Sequence, residues 1–328
     1  MLRSLAVRCA ESLVRFAGAR LLVLIYHRVR TEPDAMFPDE PDARMFREQM
    51  TVLAEDFRVL PLGAALTLQE QGRLPARAVA VTFDDGFADN ATEALPILRE
   101  LGLPATFFVA TGYLDGGFMF NDAIIEACRQ APAGLWQTGT RWFGDLQLDS
   151  MDSRRRAALD MIDRLKYEDP GLRFDYARQL LESARATMPA GLMMTCAQVR
   201  ELHAAGMEIG GHTRSHPILA RLDERQAGFE IAAGRDDLLG IVGAPIELFA
   251  YPNGRPGRDY GMRDVELARK AGFRAAVTTA WGYSDRATDP WQIPRIGTWG
   301  GSRWRFAARL TEARARARGE TCTIPANG

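Results

Sequence analysis

The sequence predicts an α/β fold, a parallel sheet wrapped by helices. Three observations carry that prediction. A helix–glycine–strand phrase recurs: residues 199–205 lead to Gly206 and the apolar run 207–210, residues 265–271 lead to Gly272 and the run 273–278, and Leu101-Gly102-Leu103-Pro104 leads into 105–110. Glycine suits the left-handed position that closes a helix, and helices alternating with short apolar strands build a parallel sheet. Two further runs, 21–26 (Leu-Leu-Val-Leu-Ile-Tyr) and 79–83 (Val-Ala-Val-Thr-Phe), are almost wholly apolar, as strands covered on both faces must be. Six or seven strands can be counted, enough for a partial or complete barrel.

Bulk properties narrow the class. The 328 residues fit two ordinary domains or one α/β barrel. Hydrophobic content of 47% and charged content of 25% belong to a globular protein with a sizeable core. A formal net charge of −1 gives no basis for a nucleic-acid partner. Cys9, Cys128, Cys196 and Cys322 are scattered and never at CxxC spacing, so no disulfide framework is expected.

In chain order, residues 1–20 have helix-like apolar spacing with interspersed arginines. That segment either packs on its own domain or lies on a membrane surface. It contains no apolar run long enough for a signal peptide or a span. Strand 21–26 ends at His27, a loop rich in Pro and Asp fills 30–42, and a helix follows at 44–56. Strand 79–83 delivers Asp84, Asp85 and Gly86; a helix over 90–101 carries Pro96, which would kink it. Residues 113–195 break the rhythm with helical stretches at 122–130, 154–166 and 174–184, read as an insertion. The rhythm resumes with helix 223–239 and strand 246–250. An Arg- and Ala-rich helix over 303–318 reads as a solvated face.

The chemistry gathers at strand ends, where α/β sheets bind ligands. Asp84 and Asp85 follow one strand, and His212 and His216 follow another within Gly-Gly-His-Thr-Arg-Ser-His-Pro. Alone, an Asp-Asp-Gly turn is common and an HxxxH pair is weak evidence. Together they offer one carboxylate and two imidazoles with room for water and substrate, the form of a catalytic zinc site. Nitrogen and oxygen donors admit other divalent metals too.

Thr82-Phe83-Asp84-Asp85-Gly86, His212-Thr213-Arg214-Ser215-His216-Pro217 and Phe249-Ala250-Tyr251-Pro252-Asn253-Gly254 occur in that order. The chain thereby resembles the polysaccharide deacetylase family (NodB homology, carbohydrate esterase family 4) over residues 22–296. Tyr26-His27-Arg28-Val29 is similar to the early strand of the poly-β-1,6-N-acetylglucosamine N-deacetylase branch. The resemblance implies a distorted or incomplete (β/α) barrel over 21–302 with a helical insertion at about 113–195, preceded by the helix 1–20 and followed by a helix and tail over 303–328. It implies metal-dependent hydrolysis of N- or O-acetyl groups on a polysaccharide or glycan precursor of exopolysaccharide biosynthesis. Asp85, His212 and His216 would hold the metal, Zn2+ first and Co2+, Ni2+ or Mn2+ as alternatives. Asp84 would be the general base, and Tyr251, Pro252 and Asn253 would face substrate, with the Asn253 amide serving the oxyanion.

Two positions depart from the family. Ala250 stands where an arginine often pairs with the base; Arg295 is the candidate replacement, against a reading as a surface arginine. No histidine follows His216 to act as general acid; His27 is the candidate, since His203 falls in an expected helix and is read as exposed. Among Trp281, Trp291, Trp299 and Trp304, one or two are expected on substrate. Two alternatives to deacetylation stay open: a glycan-binding member with impaired catalysis, and a hydrolase of small-molecule C–N bonds. The expected partner is an acetylated glycan or a lipid-linked sugar, and the expected location is cytoplasmic or peripheral at the inner membrane.

Overall fold

The computed structural model describes residues 19–297, 300–301 and 303–315. The helix expected over 1–20 therefore lies outside the described residues but for its last two, as do Trp299 and the tail from 316 onward.

Seven parallel strands close into a barrel. They are β1 (Leu22–Tyr26), β3 (Ala78–Phe83), β4 (Thr106–Val109), β7 (Glu208–Gly211), β8 (Leu248–Ala250), β9 (Ala275–Trp281) and β10 (Ile293–Gly297). Closure comes from β1, which pairs with β3 (Leu22↔Val79 to Tyr26↔Phe83) and with β10 (Leu24↔Ile296). The barrel is thus complete in strand pairing. Its distortion sits between β9 and β10, where Ile293 faces Val277 but Arg295 faces Trp281. A bulge is where a strand tolerates Pro294, and it re-aims the residue beside it. A two-residue strand, β2 (Arg58–Val59), pairs with the start of β3 outside the ring.

Alternation along the strands sorts inside from outside. Val23, Ala78, Ala80, Phe108, Leu248, Ala250, Ala275, Val277 and Ile293 fill the barrel. Gly210 on β7 makes room for the Phe108 ring, since a Cβ there would meet it at 2.5 Å. Val79, Val81 and Phe83 instead join the outer cluster beneath the helices. Helix α1 (Ala43–Asp56) packs outside, capped by Asp42. Helix α2 (Leu62–Glu70) presents Leu62, Ala65 and Leu66 to the inner cluster and stops the barrel at its amino-terminal end. Neither α2 nor β2 is evident in the sequence; α2 is apolar without the clean amphipathic stripe of a surface helix.

The helix expected over 90–101 forms in two parts. A π-helical turn spans Asn90–Ala94, and helix α3 runs over Leu95–Glu100 with Pro96 in its first turn. Proline has no amide to continue the preceding hydrogen-bond ladder, so the junction falls there.

The insertion between β4 and β7 contains α4 (Phe120–Gln130), a hairpin β5 (Gly134–Gln137) and β6 (Asp145–Leu148), α5 (Met151–Leu165) and α6 (Pro170–Ala184). The hairpin was not expected. These elements bury their own core, including Cys128, Trp136, Met161 and Leu180. A small cluster of Phe87, Ala110, Tyr113, Met119, Leu192 and Met193 seats the insertion on the barrel. Helices α7 (Cys196–Ala204), α8 (Glu224–Val242) and α9 (Met262–Lys270) complete the wrapping. Gly206 and Gly272, at φ of 83° and 94°, turn the chain into β7 and β9 as the repeated phrase requires. Helix α10 (Arg303–Ala315) is not wholly solvated: Phe306, Leu310 and Ala313 join the outer core.

Candidate active site

The site lies at the carboxyl ends of β1, β3, β7, β8 and β10. Inward-facing residues of β3 run Ala78, Ala80, Thr82, and the next in that column is Asp84. Asp85 follows at φ 76°, a conformation that L-residues seldom adopt. Thr213, His216 and Asn253 share that conformation, at 63°, 52° and 58°. Such strain concentrates where the fold must aim side chains.

Asp85 Oδ1 lies 3.4 Å from His212 Nε2 and 3.4 Å from His216 Nε2. One ligand atom from each of the three residues falls within 4.8 Å of the others. His212 Nδ1 sits 2.7 Å from the Ala250 carbonyl. A carbonyl can only accept, so Nδ1 carries the proton and the Nε2 lone pair faces Asp85. Burial drives the His216 imidazole down to about 4, which keeps it neutral. Burial opposes protonation of His212 as well, but the adjoining Asp85 and Asp84 carboxylates outweigh it and raise its pKa. That negative field is one a cation would satisfy. Asp85 Oδ1 is itself buried with no hydrogen-bond partner among the described residues. An orphaned carboxylate oxygen facing two imidazole nitrogens fits a divalent metal.

Asp84 turns away from this group and meets Arg295. The guanidinium makes two parallel bonds to it, Nη1–Oδ1 and Nη2–Oδ2, both 2.7 Å. Arg295 also donates to the Thr278 carbonyl at 2.8 Å and to Thr82 Oγ1 at 3.2 Å. Its side chain is fully buried, so the reading as a surface arginine is excluded. Burial would raise the Asp84 carboxyl, but Arg295 outweighs burial and holds it below the ordinary carboxylate range. His27 is exposed at the end of β1, near enough that its charge draws on both Asp84 and Asp85. A cavity of about 350 Å³ opens here, lined by His27, Thr279, Trp281 and Arg295 among others.

The Tyr251-Pro252-Asn253 turn follows β8. Tyr251 was expected to face substrate; instead its ring is fully buried, stacked on Tyr260 at 3.8 Å and edge-on to Phe249. The turn offers backbone to the site. Thr279 Oγ1 donates to the Asn253 carbonyl at 2.6 Å, while among the described residues nothing accepts from the Asn253 N–H. Of the tryptophans, Trp291 is buried, Trp281 lies at the cavity and Trp304 is exposed away from the core. His203 is half-buried on α7, not exposed.

The sequence reading missed the residues that hold the two loops. Glu230 of α8 accepts from the Arg214 amide (3.0 Å), the Ser215 amide (2.7 Å) and the Ser215 hydroxyl (2.6 Å). Thr213 Oγ1 accepts from the His216 amide at 3.0 Å, and Tyr113 donates to the Ser215 carbonyl at 2.7 Å. Helix α8 approaches so closely that a Cβ at Gly234 would meet the Thr213 carbonyl at 2.7 Å. On the other side, Asn90 donates to the His27 carbonyl at 2.9 Å, and Asp89 accepts from Arg28 (2.7 Å) and the Val29 amide (3.2 Å). Asp89 and Asn90 stand five and six residues past Asp84, a signal available in the sequence; an acid within an amphipathic helix, such as Glu230, gave none.

Comparison with known proteins decides the family. A model described as polysaccharide deacetylase matches residues 71–140 and 180–276. YxkH of Bacillus subtilis (strain 168), classed as a polysaccharide deacetylase, is 31% identical over 280 residues, 85% of this chain and 71% of that protein. The chain belongs to the polysaccharide deacetylase family. Membership places it among hydrolases of carbon–nitrogen bonds other than peptide bonds. A poly-beta-1,6-N-acetyl-D-glucosamine N-deacetylase of Staphylococcus aureus (strain MSSA476) is 31% identical over 90 residues, spanning 26% of this chain and 31% of that protein. Two solved structures share the fold. Streptococcus pyogenes PplD, solved with acetate, has a TM-score of 0.61 at 18% identity, over 91% of this chain and all of that one. IcaB from Ammonifex degensii has a TM-score of 0.58 at 21% identity, over 91% of this chain and 98% of that one. The three deacetylase motifs thus stand on a closed seven-stranded version of the NodB-type barrel.

Proposed function

We propose that this protein is a metal-dependent deacetylase that hydrolyses acetyl groups from N-acetylhexosamine units of a glycan. The observation that carries the reading is the division of labour between adjacent carboxylates. Asp85 faces two imidazoles, and Asp84 faces a guanidinium and stays free of them. A divalent cation held by Asp85, His212 and His216 would polarise the acyl carbonyl and ease loss of a proton from water.

The protein's own groups account for the rest. Asp84, kept ionised and oriented by Arg295, accepts the proton of the attacking water. The Asn253 N–H, unpaired among the described residues, donates to the oxyanion of the tetrahedral intermediate. His27, exposed beside both carboxylates, protonates the leaving amine. Arg295 thus supplies from β10 the guanidinium absent at Ala250. The local similarity to a poly-beta-1,6-N-acetyl-D-glucosamine N-deacetylase supports an N-acetylated, hexosamine-based substrate, and work on a precursor at the cytoplasmic face belongs to the same proposal.

Mass spectrometry of an acetylated β-linked glucosamine oligomer, before and after incubation, tests this directly. The expected result is stepwise loss of acetyl mass that a chelator abolishes. Loss unaffected by the chelator, or none on any acetylated glycan, contradicts the reading.

A further inference from the structure

Three arginines are buried among the described residues: Arg154, Arg173 and Arg295. Two are fully accounted for. Arg295 is clamped on Asp84, and Arg154 donates to the carbonyls of Cys128, Arg129 and Ala131. Arg173, in the first turn of α6, is different. It is 4% exposed, yet among the described residues no carboxylate pairs with it. Its Nη1 reaches the Lys166 carbonyl at 3.2 Å, and its Nε is buried with no acceptor. The Phe120 ring at 4.7 Å offers partial compensation. A cation so deeply placed destabilises a fold unless an anion joins it.

The opening beside Arg173 suits that anion. A cavity of about 400 Å³ lies between the start of α6 and the loop that follows His216, with Pro217 and Ile218 on its barrel side. On its other walls stand Arg173, Lys166, Tyr167 and Arg221. Arg258, Arg221 and Lys166 gather around the Tyr167 ring at 4.9, 5.1 and 5.3 Å. Among the described residues neither Arg221 nor Arg258 has a carboxylate partner. The acids nearby are largely committed. Asp163 pairs with Lys166, Asp169 caps α6 through the Gly171 and Leu172 amides, and Asp259 accepts from Tyr167. Glu168 is the remaining carboxylate on the wall. The site adjoins the candidate metal centre in space as well as in sequence, since the Arg173 charge reaches the His216 ring.

We infer that this cavity binds a phosphate-type anion carried by the substrate, a phosphate or diphosphate ester attached to the acetylated sugar. Planar guanidinium groups match phosphate oxygens in pairs, and the Tyr167 ring gathers Arg221, Arg258 and Lys166 on one side of the opening. The substrate would then be a charged glycan precursor. That the anion belongs to a substrate rests on the deacetylase reading; its binding does not.

The test is calorimetric titration of the chelator-treated full-length protein with inorganic pyrophosphate at constant ionic strength, so that no metal contributes. Titrations with a nucleoside diphosphate ester and a short prenyl diphosphate ester run beside it. The expected result is saturable binding of pyrophosphate and of at least one ester, weakened about tenfold or more in Arg173→Met and in Arg221→Gln. The preferred ester identifies the carrier. Arg221 is exposed, so its variant reports even where Arg173→Met fails to fold. A melting curve monitors the latter, which should be no less stable than wild type without pyrophosphate because an unpaired buried cation is gone. No binding by wild type, equal binding by the folded variants, or pyrophosphate bound while both esters are refused (an adventitious ion only) overturns the inference. Binding without hydrolysis of any acetylated glycan would refute the deacetylase reading and leave the anion site standing.

Discussion

Arg295 and Asp84 are each nearly inaccessible, and each is the other's partner through two 2.7 Å bonds. Breaking such a pair leaves a buried charge alone, at a cost of about 3–5 kcal/mol. Arg295→Met is therefore expected to lower thermal stability markedly. It should also move the acid limb of the rate profile to higher pH, because Asp84 then keeps burial without its cation. An unchanged rate profile would remove Arg295 from the machinery. His27 has a different setting. It is exposed and outside the three-residue metal group, so His27→Ala should cut turnover by about 10²-fold or more with metal content near that of wild type, as metal analysis beside kinetics would show. At this scale the sequence made legible which residues the fold brings together wherever they sit in a local motif. Asp84, Asp85, His212 and His216 are such residues. Arg295 stands out in the sequence only because Ala250 leaves the family's guanidinium missing. Tyr251 misled because a motif residue can serve through its backbone while its ring packs in the core.

The elements aim these residues through contacts that periodicity does not encode. Glu230 is one side chain on a long helix, yet it fixes two amides and a hydroxyl of the turn that delivers His216. Outer groups that orient metal ligands typically contribute about 10–100-fold in affinity. Glu230→Ala should weaken divalent-metal binding by that order while the helix still folds, measured by competition with a chelating dye. Unaltered affinity would make Glu230 a surface contact only. The repeated helix–glycine–strand phrase made the strands of the barrel legible, because each is short, apolar and announced by a glycine. Helix α2, strand β2 and the β5–β6 hairpin were not legible. Helix α2 is buried against the barrel floor without a polar–apolar alternation to report it, and the hairpin strands are too short, at four residues each, for their pattern to stand out.

Across the whole molecule, the barrel and its insertion are separate cores joined by a narrow seam. Asp122 lies at that seam, buried, accepting from the Met119 amide at 3.0 Å. Burial raises its carboxyl from the ordinary 3.8 to about 7. A carboxyl whose pKa is raised on folding favours the folded state fully below its unfolded pKa, and that contribution is lost as pH rises through the folded value. The wild type should therefore lose stability between pH 4 and 7, by of order 4 kcal/mol at most. Asp122→Asn, which keeps an acceptor for Met119, should flatten that slope in denaturant unfolding; an identical slope would refute the assignment. The closure of the barrel could not be read from the sequence, because it depends on β1 pairing with both β3 and β10, partners far apart along the chain. The break in rhythm over 113–195 falls where a second core stands between β4 and β7, but its hairpin and its approach to the loop that carries His216 could not be read from it.

In the proposed mechanism Asp85, His212 and His216 hold one cation while Asp84, paired with Arg295, stands beside it and does not ligate it. Elemental mass spectrometry of the purified protein and its variants after equilibration with zinc measures the metal stoichiometry. About one ion per chain is expected in wild type and Asp84→Asn, with loss of that ion in Asp85→Ala and His216→Ala. An Asp84→Asn protein that loses the metal, or a His216→Ala protein that keeps it at full occupancy, would contradict that mechanism.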